Sequence, residues 1–214
     1  MAGIIFNAIL SYVIIRNQDI PDKKRLANIL NHITVILMTT NVIFLICSFN
    51  IWINNLELIL CFNWLVYMSF IDRHTGLVYE FMEYYGIIPV ISGLIRIVVG
   101  KYNTGNKESL FVILLFISVL YYILYIWGIY GEGDADVFII VGIVLSLYTA
   151  YNNEIFVFAE CIMINAGLFC LSSVLFVLLN IRSINWKQLR LVEEKPYIPS
   201  IFLAYLCILM FTFL

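Results

Sequence analysis

The sequence predicts an all-α protein, a polytopic transmembrane helix bundle of about eight spans, and three observations carry that prediction. Hydrophobic residues fill 63% of the 214 positions and charged residues only 12%, against roughly a quarter charged in soluble domains. Apolar runs near the length a helix needs to cross a bilayer core, about 20 residues, recur along the whole chain. Lysines and arginines gather in alternate linkers between those runs, as in membrane proteins of fixed orientation. The formal charge of −2 says little about partners, because in such a chain the position of each charge outweighs the sum. No basic patch suits nucleic acid, and no polar interval is long enough to fold as a soluble domain.

Taken in order, the expected spans cover residues 1–15, 31–50, 56–71, 86–99, 109–130, 137–151, 154–179 and 197–214. The opening "MAGIIFNAILSYVIIR" lacks a basic leader and a small-residue cleavage site, so it is expected to stay as a helix. The segments 1–15, 86–99 and 137–151 are short; tilt, local thinning or burial among neighbours would accommodate them, and the count falls to seven or six where they do not cross. Arg16, Lys23, Lys24 and Arg25 occupy one linker and Arg182, Lys187, Arg190 and Lys195 another, which with Arg73 puts nine cations on one face against Arg96, Lys101 and Lys107 on the other. The nine-cation face is assigned to the cytoplasm, in a multi-pass protein of the cytoplasmic membrane. Trp52, Trp127, Trp186, Tyr121, Tyr122, Tyr125 and Tyr130 fall near helix ends and are expected to form interfacial belts. Cys47, Cys61, Cys161, Cys170 and Cys207 lie in apolar stretches without CxxC spacing, which reads as buried thiols rather than a zinc site or disulfide framework. No metal or cofactor is expected.

Acids at a membrane margin are costly and therefore informative. In "MSFIDRHTG" Asp72 closes the third expected span, and in "IYGEGDADVF" Asp134 stands before the sixth. Two expected spans separate them, so both return to one membrane face and can meet inside the bundle. Two carboxyls at close quarters share a proton, leaving one acid and one base. Such a pair can hold a water and hydrolyse a peptide bond without metal or covalent intermediate. Gly131 and Gly133 can adopt positive φ and admit a second backbone, which would let a substrate strand lie beside Asp134. An alternative stands beside this: aspartate before a helix is a favoured cap, and glycines before it make an ordinary turn.

With "IDRHTGLVYEF" followed two spans later by "GEGDADVF", the chain resembles the type IV prepilin peptidases, membrane aspartyl proteases of the GxGD type. The resemblance implies that Asp72 and Asp134 are the catalytic pair, with the first aspartate ending a helix on the cytosolic side. The tail "KPYIPSIFLAYL" is similar to the proline-bearing segment that opens the family's final helix, which would set Pro196 and Pro199 near the site. On this reading residues 1–55 form N-terminal helices with a basic cytoplasmic linker, and 56–214 a six-helix peptidase core. The implied substrate is a prepilin or pseudopilin, its basic leader in the cytoplasm and its apolar helix inserted laterally from the membrane lipid.

The departures are specific. Asp136 stands where many family members keep a lysine, and Leu77 and Val78 stand where Ile-Pro is common. In place of the cytosolic methyltransferase region of bifunctional members there is only "NQDIPDKKRLANIL", so N-methylation is not expected. The Pro-Ala-Leu motif of the presenilin-type relatives is absent from the sequence. Glu132 and Asp136, and likewise Glu80 and Glu83, can attract a basic leader or serve the fold; His74 can tune Asp72 or simply be solvated. His32 is expected at the interface. Glu160, deep in the seventh span, needs a partner, and Asn165 falls on a different helical face. Two rivals remain at this point: a transporter-like or scaffold membrane protein whose aspartates cap helices or relay ions, and an intramembrane protease for other signal-like segments.

Overall fold

The computed structural model describes residues 2–16, 23–47, 55–99, 107–152, 157–181, 184–185, 190–191 and 195–213. Eight helices account for nearly all of them: α1 Ala2–Arg16, α2 Lys23–Cys47, α3 Leu56–Thr75, α4 Glu80–Val99, α5 Lys107–Ile126, α6 Glu132–Asn152, α7 Val157–Leu179 and α8 Ile198–Phe213. The linker before α8, expected to be merely basic and polar, also holds a two-residue antiparallel pair, β1 Ile184–Asn185 with β2 Arg190–Leu191. Pairs this short leave no alternating pattern to read.

Three helix starts lie well ahead of the expected ones. Helices α2, α4 and α6 begin at Lys23, Glu80 and Glu132, ahead of the apolar runs at 31, 86 and 137. An apolar window stops at the first charge, whereas Lys and Glu are good helix formers and acids suit a first turn. Glu80 and Glu83 therefore lie on helix rather than loop.

Among the described residues three helices are long and apolar enough to cross a membrane, within Glu80–Val99, Glu132–Tyr151 and Phe158–Leu179. They are not equivalent, because 67% of the α6 window is buried inside the protein against 28% for α4 and 17% for α7. Helix α6 is the central post, packed by α3, α4, α5, α7 and α8. The outward faces of α4 and α7 are apolar, with Ile87, Ile91 and Val98 on one and Met163, Val174 and Leu178 on the other. An apolar exterior around a sheathed central helix suits a lipid surround.

Polar contacts fasten the helices where apolar packing alone would let them slide. Asn165 on α7 donates to Ser146 Oγ of α6 at 3.0 Å and to the Cys161 carbonyl at 2.8 Å, and accepts from Tyr121 of α5 at 3.4 Å. The hydroxyls of Tyr67 and Thr34 pair at 2.9 Å, tying α3 to α2. Near the start of α3, Glu57 forms an ion pair with Arg96 of α4, whose guanidinium lies over the Tyr151 ring of α6 at 3.7 Å.

Burial corrects two readings. Tyr121 and Tyr130 are not belt residues: they are 1% and 8% exposed, inside an aromatic cluster with Phe138. Trp127 and Tyr122 do face outward, while Trp52 and Trp186 lie outside the described residues. Among the thiols Cys61 and Cys161 are buried and Cys207 half-buried, but Cys170 is exposed on α7; the Cys47 side chain lies outside the described set.

Candidate active site

Asp72 sits in the last turn of α3, past the apolar run that ends at Ile71, and is 4% exposed. The turn is closed behind it by Gly76, whose φ of 67° lets its amide bond the Asp72 carbonyl at 2.7 Å, a left-handed cap that residues with a Cβ rarely adopt. The carboxyl receives the amide of Ile198, the first residue of α8, at 3.1 Å. Burial pushes the Asp72 carboxyl up to about 6, with the Ile198 amide holding it lower than burial alone would. Pro199 occupies the second position of α8, where no amide is needed, so it shapes the helix start at no cost in hydrogen bonding.

Asp134 is the third residue of α6, with its carboxyl beside Gly131, the residue before the helix. That place in the first turn suits an acid, at the positive end of the helix dipole. It corrects the expectation that Asp134 precedes the helix, and that the two glycines supply positive φ. Among the described residues only Gly76 and Gly128 have positive φ. Gly131 lies in ordinary contact with Asp134 Oδ2, whereas Gly133 gives room to Val78: a Cβ there would stand 2.5 Å from Val78 Cβ.

Both aspartates open onto one cavity of ≈ 1110 Å³. Among the described residues six carboxylates line it, Asp72 from α3, Glu80 and Glu83 from α4, and Glu132, Asp134 and Asp136 from α6, against one lysine, Lys195. Gly131, Gly133 and Pro196 border it too. The charge of Asp72 reaches Asp134, while those of Asp136, Glu80 and Glu132 reach Glu83, so the acids form two electrostatic groups. Tyr130 and Tyr197 supply a wall; Tyr197 stacks on Phe176 at 4.6 Å and pairs with the Ser173 hydroxyl at 3.1 Å. Burial, then Tyr197 and Asp134, push the Tyr130 phenol well up, so it stays a neutral hydroxyl.

Asp72, Gly131, Gly133, Asp134, Asp136 and Pro196 are thus brought to one place. Pro199 is not among the lining residues, and neither are His74 and Glu160. The exposed His74 ring stacks on Phe70 at 4.2 Å with Nδ1 at 2.9 Å from the Phe70 carbonyl; His32 is exposed as well. Tyr130, Tyr197 and Ser173 were missed in the sequence, where Tyr130 reads as an anchor and the others as part of apolar runs. Among the described residues no three His, Cys, Asp or Glu side chains converge as a metal site would. Two carboxyls that border one space are groups that can take and return a proton there. No family model, curated protein or solved structure matches the chain.

Proposed function

We propose that this protein is a membrane aspartyl endopeptidase that removes the leader of a prepilin or pseudopilin, with Asp72 and Asp134 activating the attacking water. The observation that carries the reading is the shared cavity: two aspartates from the end of α3 and the first turn of α6, 62 positions apart in sequence, border the same ≈ 1110 Å³ space. One carboxylate takes a proton from water as the water oxygen attacks the scissile carbonyl, and the protonated partner donates a hydrogen bond to that carbonyl oxygen. The tetrahedral intermediate then collapses, the C–N bond breaks, and the departing amine receives the proton.

The reading includes eight spans in the cytoplasmic membrane, with α1, α2, α3, α5 and α8 crossing beside α4, α6 and α7, and the cavity at the cytoplasmic face. The apolar helices Gly3–Arg16, Leu110–Ile126 and Ile198–Phe211 are consistent with that count, since a tilted or locally thinned bilayer accepts shorter spans. Excess acid around the cavity suits a basic leader, and exposed Leu77 and Ile129 at its rim suit the apolar segment that follows.

A specific observation also favours a second reading. Asp72 accepts the main-chain amide of Ile198 at the start of α8, and Asp134 stands in the first turn of α6, as capping groups do. Asparagine accepts the same bond but cannot be the base. Coexpression with a prepilin, read as a gel shift on leader removal, separates the two. The peptidase reading expects no processing by Asp72→Asn or Asp134→Asn; full processing by either leaves only the cap.

A further inference from the structure

The connection between α3 and α4 rests on the residue just before Asp134. Val78 presents its whole isopropyl group to Gly133: a Cβ at Gly133 would stand 2.5 Å from Val78 Cβ, 2.7 Å from Cγ2 and 3.0 Å from Cγ1. The closest of these atoms is attached directly to the main chain, so no rotamer change relieves the contact, and a β-branched side chain has little rotamer freedom in any case. The connection cannot swing away either, because it is anchored on both sides. Toward Asp72, the left-handed Gly76 closes α3 onto the Asp72 carbonyl, and Thr75 Oγ1 receives the Leu77 amide at 3.2 Å. Toward α4, the Met82 amide bonds the Tyr79 carbonyl at 2.8 Å and Trp64 of α3 donates to the Met82 carbonyl at 2.8 Å. The Trp64 ring lies so close over Gly86 that a Cβ there would meet it at 2.6 Å.

We infer that Val78 is a positioning residue: its contact with Gly133 acts as a gauge that sets the separation of the Asp72 and Asp134 carboxyls. The path from Asp72 through Gly76 to Val78 is short and fixed, and Gly133 is covalently next to Asp134. Any thickness added at the contact must reappear as distance between α3 and the first turn of α6. The second glycine of GEGD is then small for the sake of this chain's own Val78, whatever else passes through the cavity.

Two measurements test the gauge, only one of which rests on the peptidase reading. In a chain whose native cysteines are replaced by Ala, Asp72→Cys with Asp134→Cys is joined by bis-thiosulfonate linkers of graded length. Gly133→Ala is expected to shift the preferred linker to a longer one, and Val78→Gly in the same chain to restore the short one. Val78→Ala is not expected to do so, because it keeps the Cβ that collides. An unchanged linker preference in Gly133→Ala, or a shift that Val78→Gly fails to reverse, overturns the gauge. The second measurement is prepilin cleavage: Gly133→Ala is expected to lose kcat by about 10²-fold at nearly constant KM, the scale for a misplacement of about 1 Å, and to regain most of it with Val78→Gly. A kcat that stays low in the double variant while the short crosslink returns overturns the gauge as the cause of the loss. Expected crosslinking with no cleavage by the unaltered protein sinks the peptidase reading and leaves the gauge standing.

Discussion

Helix α3 carries a buried acid at each end, Glu57 at 1% exposure and Asp72 at 4%, about 22 Å apart at 1.5 Å per residue. The Glu57 carboxylate has Arg96 against it, and the Tyr148 and Tyr151 rings of α6 take up the face of that guanidinium. The Asp72 carboxyl has one main-chain amide and an open cavity shared with five other acids. Burial is the same at both ends; charge compensation is not. The paired end holds three helices together through Glu57 Oε1, while Glu57 Oε2 is buried without a hydrogen-bond partner among the described residues. The other end keeps carboxyls in a setting where gaining or losing a proton costs little, as a proton-transferring pair requires.

If that contrast is right, removing a charge should have opposite consequences at the two ends. The largest effect is on chemistry: Asp72→Asn and Asp134→Asn are each expected to slow leader removal by about 10²–10⁴-fold, the scale of general acid–base catalysis. The double variant should lose little more, since the pair acts as a unit; time courses with purified protein and prepilin measure it. Next comes Arg96→Met, which strands the buried Glu57 and should cost about 3–5 kcal/mol. Glu57→Leu in the same chain should return much of that, and denaturation in detergent reads both. An Arg96→Met chain as stable as the parent would erase the distinction between the ends.

The third test turns on pH and has the opposite sign. Folding raises the Asp72 carboxyl to about 6, so the fold favours its protonated form. The resulting stabilisation is full below the ordinary carboxyl range and disappears as pH rises through about 6. Asp72→Asn does not titrate, so its melting temperature should exceed the parent's by a few degrees at pH 8 and lose that advantage near pH 4. The smallest effect is at the rim: Glu132→Gln, on an exposed side chain, should change stability by less than about 0.5 kcal/mol, while a prepilin with a basic leader binds several-fold more weakly, most visibly at low salt.

What could be read in the sequence follows the range of each interaction. Asp72 and Asp134 stood out because an acid beside a long apolar run is conspicuous wherever the chain then goes. The Glu57–Arg96 pair spans 39 positions, and with no periodicity linking the two ends each looks like a separate charge at a helix margin. Gly133 was legible as a place needing a small residue. The reason was not, because Val78 reaches it only after α3 and α4 have packed against α6. Tyr121 and Tyr130 were placed at the membrane surface since a tyrosine near a helix end has the same local pattern whether it faces lipid or a neighbouring helix. Helix α6 reads like any other apolar span; that five helices sheathe it depends on contacts from both sides of it in the chain.

The amide that Asp72 accepts comes from Ile198, 126 residues further along the chain. A nascent chain that has formed α3 and α6 already owns both aspartates, yet among the described residues the donor to the first arrives only when α8 folds against α3, where Tyr205 also bonds the Leu58 carbonyl at 2.8 Å. On the proposed peptidase reading, a chain truncated before α8 is expected to leave a prepilin unprocessed even though both acids are intact.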